Sequence, residues 1–186
     1  RYVNRRIDMD QIIMAGHSFG GYTALAAAGA SLNTDALISW CDAPEFWQPE
    51  GVPIPPEFAR DEASMLDNTC FLTEQVDAIA QARGLNAIPA GLWPSTTDPR
   101  VKAVIAMAPW NAPIFGSESF AALDIPTMIV IGTADMTTFA QRDAYRIYEE
   151  IGSTEKSLVV LENAGDNVYV DNCPDMIEMF PDLYGM

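Results

Sequence analysis

One histidine, His17, occurs in the 186 residues of this chain. That scarcity excludes a metal centre built on several imidazoles. Cysteine is nearly as scarce: Cys41, Cys70 and Cys173 follow no metal-ligand spacing, so no metal is expected. Three is an odd number, leaving either one pair plus a free thiol or a partner cysteine outside the chain. Cys41 with Cys70 would close a loop in the least regular stretch. Positive charge is also short, with 10 Lys and Arg against 26 Asp and Glu and a net charge of −16. A nucleic-acid partner is therefore excluded, because such binding relies on basic side chains displacing counterions. The acidic surplus reads as a solvated surface. No apolar run approaches the ~20 residues of a membrane span. The first residues, Arg1-Tyr2-Val3-Asn4-Arg5-Arg6, include neither an initiator Met nor the apolar stretch of a signal peptide. The chain thus reads as an excerpt or a processed product, which leaves its compartment open between cytoplasm, periplasm and secretion.

What is present is an apolar run, Gln11-Ile12-Ile13-Met14-Ala15, followed by Gly16-His17-Ser18-Phe19-Gly20 and an Ala-rich stretch from Gly21 to Ala30. A bare G-x-S-x-G arises by chance in roughly one chain of this length in fifteen. Its flanks carry the weight, because strand, sharp turn and helix are the setting of a nucleophile elbow. There the flanking glycines let neighbouring backbone approach, and the turn lifts the Ser hydroxyl over the sheet beside a helix N-terminus.

Further strands are read at Val101 to Ala108, Pro126 to Gly132 and Ser157 to Leu161. Helices are read at Phe19 to Ala30, Phe139 to Ile151 and Pro174 to about Leu183, with Arg1 to Asp8 as a helix end. Short continuous apolar runs are expected of strands buried on both faces of a parallel sheet. Residues 31–99 differ: Pro44, Pro49, Pro53, Pro55, Pro56, Pro89, Pro94 and Pro99 break regular sheet, and one helix is expected from Glu57 to about Ala82. This stretch reads as a cap or loop excursion within one α/β domain spanning 1–186. Ser18, Trp110, Asp135 and Asp166 all follow strands, so they should gather on the carboxyl rim of the sheet, where such folds bind ligands.

The order of Ser, then an acid after a later strand, then a loop after the last strand resembles an α/β-hydrolase. More closely, the chain resembles the bacterial dienelactone hydrolase-like and platelet-activating-factor acetylhydrolase-like esterases. The likeness lies in Gly16 to Ala24, Asp98 to Val104, Ile125 to Asp135 and Leu161 to Asn167. It implies the C-terminal part of a mostly parallel sheet with flanking helices and a cap-like insertion. It further implies Ser18 as nucleophile, the Phe19 amide as an oxyanion donor and Asp135 as the acid that orients the base. His17 and Trp110 would line the substrate pocket. The implied activity is hydrolysis of carboxylic esters through an acyl-serine, without cofactor, on a small-molecule ester substrate.

Two departures qualify this. The base should be a His after Ala164-Gly165, and the chain has Asp166 there. A carboxylate is a far weaker base than imidazole toward a serine hydroxyl. Beside Asp135 it would form a like-charged pair, one member of which tends to keep a proton. His17 is not expected to replace the base, since the residue before the Ser packs beside the strand. The chain therefore reads as an impaired hydrolase or as a hydrolase-like binding protein. Second, only about ten residues precede the elbow strand, so a missing N-terminal segment or a second chain is expected to complete the sheet.

Overall fold

A computed structural model describes residues 8–45 and 69–170. Four strands, β1 (Ile12–His17), β2 (Val101–Met107), β3 (Thr127–Gly132) and β4 (Lys156–Leu161), lie in the order β1-β2-β3-β4, every pair parallel. All four strands read from the sequence are present, with β1 running on to His17. The crossovers hold α1 (Phe19–Ala28), α2 (Thr34–Asp42), α3 (Val76–Ala82), α4 (Gly116–Ala121) and α5 (Ala144–Glu150).

The strands alternate in burial. Val104, Ala106, Ile129 and Ile131 are buried, and they join Leu25, Leu37, Phe115, Phe120 and Ile147 in one core. On the other face Ile13, Met128 and Val160 are exposed, Ile13 by 63%. The expectation of strands buried on both faces is thus corrected. Helices α1 and α5 pack on one face of the sheet, and on the opposite face Ile105, Met107 and Val130 are half-buried beside those exposed residues. Among the described residues β1 pairs only with β2, and no described strand lies along its other edge.

α1 ends as the sequence predicts, at Gly29 with φ of 134°, a conformation that disfavours any residue bearing a Cβ. Helix α5 is shorter than the span read from Phe139. Its apolar stripe Ala140, Ala144, Ile147 and Ile151 is buried throughout, but residues 140–143 form turns ahead of the helix, where Arg142 and Asp143 make a buried ion pair.

The proline-rich stretch contains a helix that breaker counting hid. Asn33 caps α2 by accepting from the Ala36 amide at 3.0 Å, and Leu37 and Trp40 are buried. Of the helix read from Glu57 to Ala82, a 3-10 turn at Phe71–Gln75 and α3 are described, with Ala80 buried. Residues 57–68 lie outside the described residues, as do Cys173, the helix end at 1–7 and the helix read from Pro174. Cys41 and Cys70 form a disulfide across this region. No described helix is long and apolar enough to cross a membrane.

Candidate active site

Ser18 stands between β1 and α1 with φ of 55° and ψ of −118°. A left-handed φ at a residue bearing a Cβ costs on the order of 1–3 kcal/mol and persists only where its surroundings impose it. Here they do. The Ser18 amide donates to Met107 O at 2.9 Å, and Ser18 O accepts from the Gly21 and Tyr22 amides. A Cβ on Gly16 would stand 2.0 Å from Gly20 O, and one on Gly21 3.0 Å from Pro109 Cα. A Cβ on Gly20 would meet nothing within 4 Å. The tight approaches thus belong to Gly16 and Gly21, and the expectation that both glycines of the pentapeptide serve close approach is corrected for Gly20. The Ser18 side chain makes no capping hydrogen bond, and the Phe19 amide opens the first turn of α1, whose early N–H groups have no intrahelical partner.

Trp110 follows β2 on the same rim. Its indole stacks on Phe19 with centroids 4.5 Å apart, and Tyr22 meets Trp110 edge-on and stacks on Phe115 at 4.9 Å. Phe19 is 63% exposed, so this aromatic face is open to solvent beside Ser18. The loop after Trp110 is pinned from behind, where the Ala112 amide donates to Asp143 Oδ1 at 2.8 Å and Asp143 pairs with Arg142.

Asp135 follows β3 and is almost wholly buried. It accepts from the amides of Thr137 and Thr138 at 2.9 and 2.8 Å, and from Thr138 Oγ1 at 2.6 Å. Its carboxyl is pushed above the ordinary value chiefly by burial, against the pull of those donors, and the charge of Asp166 adds a smaller push. The like-charge repulsion expected of the pair is thus present as the smaller cause.

Asp166 opens the 3-10 turn Asp166–Tyr169 after β4. Its Oδ1 lies 2.8 Å from His17 Nε2. An ionised carboxylate only accepts, so the histidine donates. The ring that the resemblance would place in a substrate pocket is tied to Asp166, which stands where the resemblance implies a histidine. Tyr169, which carried no signal in the sequence, packs its ring 5.1 Å from that of His17. Its buried hydroxyl has no hydrogen-bond partner among the described residues, and burial, reinforced by the charges of Asp135 and Asp166, pushes its pKa up to about 12.

The loops after β3 and β4 are stitched together. The Ala134 amide donates to Ala164 O at 3.0 Å, and the Asn163 amide to Thr133 Oγ1 at 2.8 Å. A Cβ on Gly132 would stand 2.0 Å from Ala164 O. The structure thus places Ser18, Phe19, Trp110, Asp135, Asp166 and His17 on the carboxyl ends of the four strands. Among the described residues no group of three His, Cys, Asp or Glu could hold a metal ion.

A parallel sheet with helical crossovers, carrying a strained serine at its first strand-to-helix turn, defines the α/β-hydrolase class. The chain belongs to the PET hydrolase-like family, whose model matches residues 67–180, more than half of the chain, from just before α3 past β4. This agrees with the α/β-hydrolase class read from the sequence and does not single out the dienelactone hydrolase-like branch.

Among solved structures, the chain is similar to a serine hydrolase involved in carbazole degradation (12% identity, 99% of this chain and 67% of that one, TM-score 0.40). It is also similar to a monoacylglycerol lipase of Paleococcus ferrophilus (12%, 94% and 67%, TM-score 0.37) and to a truncated carbohydrate esterase from gut microbiota (12%, 98% and 61%, TM-score 0.42). The chain therefore spans about two thirds of the length of these structures. No curated protein matches the sequence.

Proposed function

We propose that this chain is the core of a serine hydrolase of carboxylic esters, working through an acyl-Ser18 intermediate and impaired by Asp166. The observation that carries the reading is the backbone of Ser18, held at φ of 55° with no capping role for its hydroxyl. Strain of this kind is stored where a side chain must be presented.

In the proposed reaction Ser18 Oγ attacks the ester carbonyl, the oxyanion takes a hydrogen bond from the Phe19 amide, and the alcohol departs with a proton. Water then releases the acid. Asp135, buried on its three donors, and Asp166, bonded to His17, are the carboxylates that follow strands on the same rim, and neither matches imidazole as a proton acceptor near neutral pH. The family's description as PET hydrolase-like extends the substrate class to polyester-type esters, for which the Phe19–Trp110 stack offers a flat face. We read residues 31–99 as an excursion within one domain spanning 1–186. The edge of β1 away from β2 is the place where an N-terminal segment or a second chain would add strands.

One observation favours a second reading, a hydrolase-like binding protein without turnover. His17 already occupies one oxygen of Asp166, so the carboxylate in the base position is engaged elsewhere. Fluorophosphonate labelling and hydrolysis of a p-nitrophenyl ester, run on the chain and on Asp166→His, separate the two. Losing a triad histidine costs on the order of 10^6 in turnover, so restoring it should raise hydrolysis by several orders of magnitude. A folded Asp166→His protein with neither labelling nor gain would sink the roles given to Ser18 and Asp166.

A further inference from the structure

A cavity of about 230 Å³ lies alongside α1, beyond the aromatic ladder that starts at Phe19. Tyr22, Phe115 and Ile79 give it an apolar wall, while Ser31, Thr96 and Arg83 give it polar groups. It adjoins the Ser18 rim at Tyr22, which packs against Phe19 and Trp110 in the first turn of α1, and runs from there along Ala26 and Ala30, toward the helix's far end.

Arg83 makes this cavity more than a packing gap. In a chain of net charge −16, the other described arginines are each claimed by a carboxylate: Arg100 by Asp98, Arg142 by Asp143 and Arg146 by Glu150. Arg83 has no carboxylate partner among the described residues. Its guanidinium is nonetheless held in place, donating to Pro94 O at 2.7 Å and lying 5.8 Å over the Trp93 ring. Two tethers to neutral groups fix a cation and leave its remaining donors unspent, an arrangement suited to an incoming anion. Its charge also bears on the Tyr22 phenol, which burial pushes up and Arg83 partly pulls back. Tyr22 therefore stays a neutral hydroxyl donor in the physiological range.

We propose that this cavity is a binding site for a small monocarboxylate with a flat apolar body, the carboxylate on Arg83 and the body against Tyr22 and Phe115. The volume selects the size. Pockets for drug-sized ligands run from about 300 to 1,000 Å³, so this one suits a single ring or a short chain. The site does not depend on the chemistry at Ser18, and it can stand or fall independently of the hydrolase reading.

The probe is benzoate, with benzyl alcohol as its uncharged counterpart, titrated into the chain with calorimetry and amide chemical shifts as readouts. Benzoate should bind saturably and shift Ala26, Ala30, Ser31 and Thr96, and more salt should weaken it while leaving benzyl alcohol unmoved. Arg83→Gln should weaken benzoate by about tenfold or more without changing benzyl alcohol, and Arg83→Lys should fall between the two. The proposal is overturned if benzyl alcohol binds the chain as tightly as benzoate, or if the shifts centre on Phe19 and Trp110. It is equally overturned if a folded Arg83→Gln protein keeps its benzoate affinity. The salt comparison on the unaltered chain decides the matter should the Gln variant fail to fold.

Discussion

Reducing the Cys41–Cys70 disulfide should cost this protein a large share of its stability, and the size follows from the loop it closes. The two residues are 29 apart in sequence, one inside α2 and the other just ahead of the turn that leads into α3. In the chain-entropy treatment, tying the ends of such a loop in the unfolded chain stabilises the folded form by about 3.6 kcal/mol at 25 °C. For a protein of this size each kcal/mol moves the melting temperature by roughly 2–4 °C, so the expected drop is about 7–14 °C. Urea and thermal unfolding, followed by circular dichroism with and without a phosphine reductant, measure the difference directly. A Cys41→Ala, Cys70→Ala double variant repeats the test without reductant. It should fall slightly further, because it also removes two partly buried sulfurs. A thiol titration of the native chain should find one free cysteine, rising to three after reduction, since the sequence has three in all. A midpoint that moves by less than about 1 kcal/mol on complete reduction would refute the reasoning. In that case the unfolded chain is already constrained in this region, or α2 and α3 are held together by packing alone.

Two further predictions concern the site. Gly16→Ala places a methyl 2.0 Å from Gly20 O, where only backbone could yield, and should destabilise the fold by about 3 kcal/mol or more, whereas Gly20→Ala, facing open space, should change stability by far less; equal losses in denaturant melts would contradict the geometry. Asp135 has its carboxyl pushed above the ordinary value by burial, so the folded chain holds that proton more tightly than the unfolded one. Its contribution is then fully present below the unfolded value of about 4 and is lost as pH rises through the folded one. Asp135→Asn should remove this loss, so the variant gains on the parent as pH rises from about 4 toward neutrality. Urea melts across that range in which the parent gains on the variant instead would reverse the assigned sign.

Much of the frame was legible in the residues themselves. The β strands announce themselves as apolar runs bounded by breakers, and each lies within a residue or two of where its run begins and ends. α1 could be read from its Ala content and from Gly29 after it. α2 could not, because its signal is a single capping side chain, Asn33, amid prolines that dominate the composition. The exposure of Ile13, Met128 and Val160 on one face of the sheet was equally hidden, since an apolar run looks the same whether one of its faces or both are covered.

The site divides in the same way. Ser18, Trp110, Asp135 and Asp166 were placed by their positions after strands, which topology alone sends to one rim. The bond between His17 and Asp166 depends on a side chain reaching across from the loop after β4, and no spacing along the chain encodes that. Tyr169 was invisible for the same reason. The main cause of the raised carboxyl at Asp135 also needed the fold, because burial is a property of neighbours from several strands.

Gly132 gives the rim a fixed gauge. The carbonyl of Ala164 occupies the volume that a side chain at position 132 would need, so the loop after β4 rests directly on the end of β3. The distance between the Asp135 loop and the Asp166 loop is therefore set by an atom that is absent. A single methyl there would act as a shim, prising the two loops apart and carrying Asp166 away from His17 without touching either residue.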